Sequence, residues 1–129
     1  MTSLIACLST GKGSWAKLSV MIRQYEWDKI FLITNDFGKE KFFVDKPDKI
    51  ELLVFDLNKS ADILSSEIFS SLKDKKIGSE VAVNLSSGSG DEHMAVLSAV
   101  LKLGVGLRLV FLKEDKVEEL KLFDETVGF

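Results

Sequence analysis

The sequence predicts a three-layer α/β domain: a mostly parallel sheet, helices on both of its faces, and an edge strand near the C-terminus. Three observations lead there. Short runs dense in Leu, Ile, Val and Phe recur near 3–8, 30–34, 50–55, 80–85 and 107–112, several of them apolar on both faces, as strands covered from two sides must be. Between them, apolar residues fall at helical spacing over 14–25, 60–73 and 91–103. Residues 80–112 then line up as strand, Ser/Gly loop, helix, glycine turn and strand, about the shortest chain that can make a parallel crossover.

Leu4-Ile-Ala-Cys-Leu8 reads as a buried strand, followed by the polar loop Ser9-Thr-Gly-Lys-Gly-Ser14 with Ser14 as the helix N-cap. Trp15, Leu18, Met21, Ile22 and Tyr25 mark the apolar stripe of the helix, with Lys17 and Arg23 off it. Lys29 to Thr34 is the next strand, and Asn35-Asp-Phe-Gly38 is a turn-rich exit leading to a short helical or extended piece over Lys39–Val44. Asp45-Lys-Pro-Asp48 is an exposed loop, since Pro47 breaks a helix. Ile50 to Phe55 is a strand, and Ala61, Ile63, Leu64, Ile68 and Leu72 define the helix after it. Lys73-Asp-Lys-Lys76 is a solvated helix end, where positive charge complements free carbonyls; it has neither the arginine nor the interleaved aromatic of a nucleic-acid patch. In the 80–85 strand Val81, Val83 and Leu85 share one face and Ala82 keeps the other compact, and Gly104 supplies the left-handed residue that ends the next helix. Lys113-Glu-Asp-Lys116 is a charged turn. Val117 to Phe123 can be an edge strand or a short helix; its Lys and Glu residues favour a protected edge.

A chain of 129 residues, 46% hydrophobic and 29% charged, holds one globular domain over 1–129 with a substantial core. The net charge of −3 argues against a duplex nucleic-acid surface yet leaves room for a local anion pocket. One cysteine and one histidine offer neither a disulfide framework nor a structural metal site, so no metal and no cofactor are expected. The N-terminus lacks a basic signal-peptide start and no stretch reaches eighteen successive apolar residues. The expectation is a cytoplasmic protein with no membrane partner.

Chemistry concentrates in the two loops at 9–14 and 86–91. If their strands are neighbours in a doubly wound sheet, both open into one crevice. The Gly11 and Gly13 backbone, the Lys12 ammonium, Ser86, Ser87 and the Ser89–Gly90 backbone would then converge on a phosphate or another anion. The first loop completes neither a Walker-type nor a dinucleotide fingerprint. Ser89-Gly-Asp-Glu92 has capping-box spacing. His93 can face the crevice or pack beside it. Asn84, an amide ending a Val-rich strand, can cap the loop or meet a base or ribose. Asn35 and Asp36 can reach a ligand from the side, with a local turn bond as the plainer role for Asp36. Trp15 falls in the register of core or subunit interface, and Trp27 in that of packing.

Asn84-Leu-Ser-Ser-Gly-Ser-Gly-Asp-Glu-His-Met94, followed by an apolar helix and Gly104, resembles the second signature of the CRISPR-associated Rossmann-like (CARF) domains. The family's first signature is a loop after the first strand, here Ser9 to Ser14, and the element order matches over almost the whole chain. The resemblance implies a stand-alone Rossmann-type domain, a homodimer whose paired loops line a shared pocket, and a small cyclic nucleotide ligand, a cyclic oligoadenylate. Carried over, Asn84, Ser86, Gly88 and Ser89 would contact bases or ribose-phosphate, and Thr10, Gly11, Lys12 and Ser14 would surround the approaching ligand backbone; Gly13 and His93 join the expected ligand contacts from the reading of the loops themselves. The family's basic residue before the helix is replaced here by Asp91–Glu92, and 129 residues lead to the expectation of a domain without the family's usual effector. Two further readings stand beside this sensor. One is a metal-independent ring nuclease in which the ribose 2′-hydroxyl attacks while Lys12, Ser14 and Ser87 serve as catalytic groups; the other is a non-catalytic protein-interaction module.

Overall fold

The structure, a computed structural model, describes residues 2–8, 12–42 and 48–122, and for residues 12–14 the backbone alone. In chain order it comprises β1 (Ser3–Leu8), α1 (Lys12–Gln24), β2 (Ile30–Thr34), α2 (Asp36–Lys41), β3 (Ile50–Val54), α3 (Ala61–Leu72), β4 (Glu80–Asn84), α4 (Gly90–Leu103), β5 (Gly106–Lys113) and β6 (Lys116–Leu120). One six-stranded sheet runs β3-β2-β1-β4-β5-β6. The first five strands are parallel, and β6 folds back antiparallel on β5. This is a three-layer, Rossmann-like α/β fold, and the edge-strand reading of the C-terminal segment holds for Lys116–Leu120.

The alternation of side chains along each strand sorts the core into two layers. Leu4, Ala6 and Leu8 of β1 meet Leu18, Met21 and Ile22 of α1 on one face. On the other, Ile5 and Cys7 join Val81 and Val83 of β4 beneath α3 and α4. In α3 the buried stripe is Leu64, Ile68 and Leu72, one residue per turn. α4 packs with Ala95, Val96, Ala99 and Val100, whose two alanines let α3 come close. Ser65 Oγ donates to Ser98 Oγ at 2.9 Å across that contact. The Gly104 backbone ends α4 at φ 75°, as the glycine predicts. Among the described residues no helix is long and apolar enough to cross a membrane.

Three local expectations change. α1 begins at Lys12, so Ser14 lies in its first turn and is not its N-cap; helix ends are the least sharply encoded part of a sequence. The piece expected at Lys39–Val44 is a helix that starts earlier, at Asp36, because Asn35 caps it: Asn35 Oδ1 accepts the Gly38 N–H at 3.0 Å. Lys75 is not simply solvated, since its ammonium reaches Glu51 Oε2 on β3 at 2.5 Å. The Asp45–Pro47 loop and Phe123 lie outside the described residues.

Candidate ligand-binding site

β1 and β4 are neighbours, with Ala6 level with Asn84, but the chain leaves them on opposite faces, through α1 and α4. Diverging connections open a crevice at the carboxyl ends of such strands. A cavity of about 560 Å³ lies there, within the range of small-molecule sites. Asn84, Ser86 and Ser87 form its inner wall. α1 contributes Lys17, Leu18 and Met21, and the far side is Leu112 of β5 with Glu114 and Asp115 of the β5–β6 turn.

Asn84 is buried and its amide is committed within the protein. Nδ2 donates to the Val110 carbonyl at 2.9 Å and to Ser86 Oγ at 3.1 Å, while Oδ1 accepts the Ser86 N–H at 3.3 Å. Both amide hydrogens are thereby used. Asn84 ties the loop to β5 and leaves the Ser86 hydroxyl, exposed at the mouth, with its own hydrogen to donate. Ser87 Oγ is buried and has no hydrogen-bond partner, an uncommon state for a hydroxyl, and Ser87 lines the cavity.

The rest of the loop turns toward α4. Ser89 Oγ caps that helix, accepting the Glu92 N–H at 3.2 Å and donating to Glu92 Oε2 at 3.0 Å. Glu92 is only 8% exposed and its Oε1 lacks a partner among the described residues. His93 Nε2 lies 2.8 Å from the Ser87 carbonyl, so the imidazole holds the loop from behind. Gly88 has φ 103°, and a Cβ there would stand 2.9 Å from Glu92 Oε1 and 3.1 Å from Cys7 Cβ. Only glycine fits this backbone geometry and clearance together. Burial first, and the nearby Glu92 charge second, push the Cys7 thiol up to about 12.

Of the residues expected to form the site, Asn84, Ser86 and Ser87 meet at the cavity. Gly88, Ser89 and His93 shape the loop and do not line it. Lys12, Gly13 and Ser14 open α1, with their side chains outside the described set, as are Thr10 and Gly11 altogether. Asp91 is exposed and Glu92 is folded beneath Ser89, so this pair does not face the cavity. Among the described residues the negative charge of the cavity wall comes from Glu114 and Asp115, which in the sequence are simply a charged turn. Lys17, the lysine among the described lining residues, shows in the sequence only as a residue off the apolar stripe of α1. Trp15 packs between Phe37 and Phe42, with ring centroids 5.8 and 5.9 Å away. Asn35, Asp36 and Phe37 line a separate cavity of about 490 Å³ beyond β2 and β3, where Asn35 is already engaged as the α2 cap.

No protein-family model and no curated protein sequence matches this chain.

Proposed function

We propose that this domain binds a nucleotide second messenger of the cyclic oligoadenylate class in the β1–β4 crevice, acting as a homodimeric sensor or sequestering protein. The observation that carries the reading is the cavity of about 560 Å³ at the sheet's switch point, with the buried, unpartnered Ser87 hydroxyl in its wall. Asn84, Ser86 and Ser87 make the inner wall polar, as a hydrogen-bonding ligand requires. Lys17 supplies a positive charge for phosphate, and Ser86 a hydroxyl donor at the mouth. The ligand class comes from the resemblance of residues 84–94 to the CARF signature. A cytoplasmic setting suits such a ligand and the lone thiol of Cys7.

Dimerisation draws on apolar side chains left outside the core. Met94 and Leu101 on α4 are 56% and 65% exposed, and Leu120 on the edge strand is 53% exposed. These are the residue types that a second copy covers.

Titration calorimetry with cyclic tri-, tetra- and hexa-adenylate, paired with light scattering, tests the proposal. Micromolar binding by a particle of twice the chain mass is the expected result. Incubating the bound ligand in EDTA and separating the products distinguishes sensor from ring nuclease: intact ligand is a sensor's result, and a 2′,3′-cyclic phosphate product is the nuclease's. A dimer that binds none of these ligands would make the chain an interaction module instead.

A further inference from the structure

The cavity has two electrostatically unlike walls. Lys17 projects from α1 on one side, while Glu114 and Asp115 stand on the other. Among the described residues none of these three side chains has an ion-pair or hydrogen-bond partner. The turn carrying the two carboxylates is costly in backbone terms. Lys113 pairs with Lys116 across a two-residue hairpin loop, and both loop residues have positive φ, 53° for Glu114 and 62° for Asp115. That pattern belongs to a type I′ turn, normally filled by Asn-Gly or Asp-Gly. Glutamate is a poor choice for it, and backbone strain of this kind persists where function keeps it. A second and independent feature belongs to the same wall: Ser87, a residue lining the cavity, is buried and its Oγ lacks a partner.

Two carboxylates accept hydrogen bonds and repel phosphate, so an entirely anionic ligand surface does not suit that wall. A ligand with its anionic part toward Lys17 and hydrogen-bond donors toward the turn suits both. We propose that Glu114 and Asp115 are specificity-determining residues of this cavity, accepting hydrogen bonds from hydroxyl or amine donors on a ligand whose phosphate lies on the Lys17 side. The inference rests on the nucleotide reading above and deepens it: the recognised group is a ribose 2′-hydroxyl or a base amine. A site built to accept from a hydroxyl or amine discriminates strongly against the analogue that lacks it, because its own polar groups are then left unpaired.

The test uses the full chain and three probes: a cyclic oligoadenylate, its 2′-deoxy analogue, and its inosine analogue, in which a carbonyl replaces the amine. The native protein is expected to bind one of the two analogues at least about tenfold more weakly than the parent. Loss with the deoxy compound identifies the hydroxyl as the recognised group, and loss with the inosine compound the amine. In the double variant Glu114→Asn/Asp115→Gly that preference should shrink to within about twofold, while binding that depends on Lys17 survives. Misfolding is not the expected confound, because Asn-Gly suits this turn and the variant should melt at a higher temperature than the native chain. Glu114→Gln/Asp115→Asn, which neutralises the charge and keeps side chains of similar shape, should weaken the preference by a smaller factor. A native protein indifferent to both analogues, or a double variant with undiminished preference, overturns the inference and leaves nucleotide binding standing. A native protein that binds no nucleotide overturns the nucleotide reading and this inference with it.

Discussion

Asn84 Nδ2 donates to the Val110 carbonyl at 2.9 Å, fastening the last residue of β4 to the strand beside it just beyond the register where their backbones pair. The same amide bonds Ser86 in both directions. One buried side chain thus fixes how the loop after β4 leaves the sheet. Asn84→Asp keeps the shape but loses both donors and sets a carboxylate against a carbonyl. It should cost about 2–3 kcal/mol, as unsatisfied or charged buried groups do. Asn84→Ala should cost about 1–3 kcal/mol and loosen Ser86. Urea unfolding measures the cost; an unchanged midpoint for both variants would show that the bond to Val110 contributes nothing.

A closer contact lies at the end of β2. Thr34 Oγ1 donates to the Leu8 carbonyl at 2.5 Å, and Gly38 of α2 passes directly over that hydroxyl. A Cβ at Gly38 would overlap Thr34 Oγ1 and sit 3.2 Å from the Leu8 oxygen. Gly38→Ala should therefore destabilise by about 1–3 kcal/mol through overpacking, despite alanine's better helix propensity. Adding Thr34→Ala removes the overlapping oxygen, so the double variant should be more stable than the sum of the singles predicts. Strict additivity in thermal unfolding would mean that the two sites do not meet as described.

The features legible in the sequence are those encoded over short distances. Apolar runs marked the strands, Gly104 marked the end of α4, and Ser89-Gly-Asp-Glu92 marked its cap. The Lys and Glu residues of 116–120 signalled an edge strand. What the sequence left open depends on distant partners. Nothing near Asn84 announces a bond to Val110, and nothing in Lys73–Lys76 announces that Lys75 meets Glu51 across 24 positions. Lys17, Glu114 and Asp115 looked like ordinary surface charge because their common cavity exists only after β5 and β6 pack near α1. A signal did exist in the turn: a two-residue loop between strands calls for Asn-Gly, and Glu-Asp in its place was an anomaly.

Cys7 gives a prediction about pH. Its thiol ordinarily titrates at 9.0 and is held up to about 12 in the fold, by burial and then by Glu92. The folded pKa is the higher one, so the folded state keeps a proton that the unfolded state releases. The stabilising contribution is whole below pH 9.0 and is lost as pH rises from there through about 12. Over that window the loss is on the order of 4 kcal/mol at most, at about 1.4 kcal/mol per pH unit. Cys7→Ala removes the titration, so the gap in stability between the native chain and the variant should narrow as pH climbs above 9. A constant gap would contradict the assignment. In the native state the thiol should also resist thiol-exchange reagents at neutral pH until the chain unfolds.

The role of Lys17 is tested by its contrast with Lys73. Lys17 lines the cavity opposite the Glu114–Asp115 turn, whereas Lys73 is an exposed residue at the end of α3, on the opposite face of the sheet from α1. Lys75 is unsuitable as the comparison because it is paired with Glu51. If phosphate lies against Lys17, Lys17→Ala removes a charge-assisted contact worth about 1.5–3 kcal/mol and raises the Kd for a cyclic oligoadenylate roughly tenfold to a hundredfold. Lys73→Ala should leave it within about twofold. Lys17→Arg should keep most of the affinity, since the positive charge remains, and Lys17→Glu should abolish binding, with three carboxylates then facing the ligand. Raising the salt concentration should weaken the native protein more than Lys17→Ala, because screening acts on the charge that the variant lacks. Calorimetric titrations at two ionic strengths measure all of this. Equal affinities and equal salt dependence for the Lys17 and Lys73 variants would remove Lys17 from the site and place the phosphate elsewhere in the crevice.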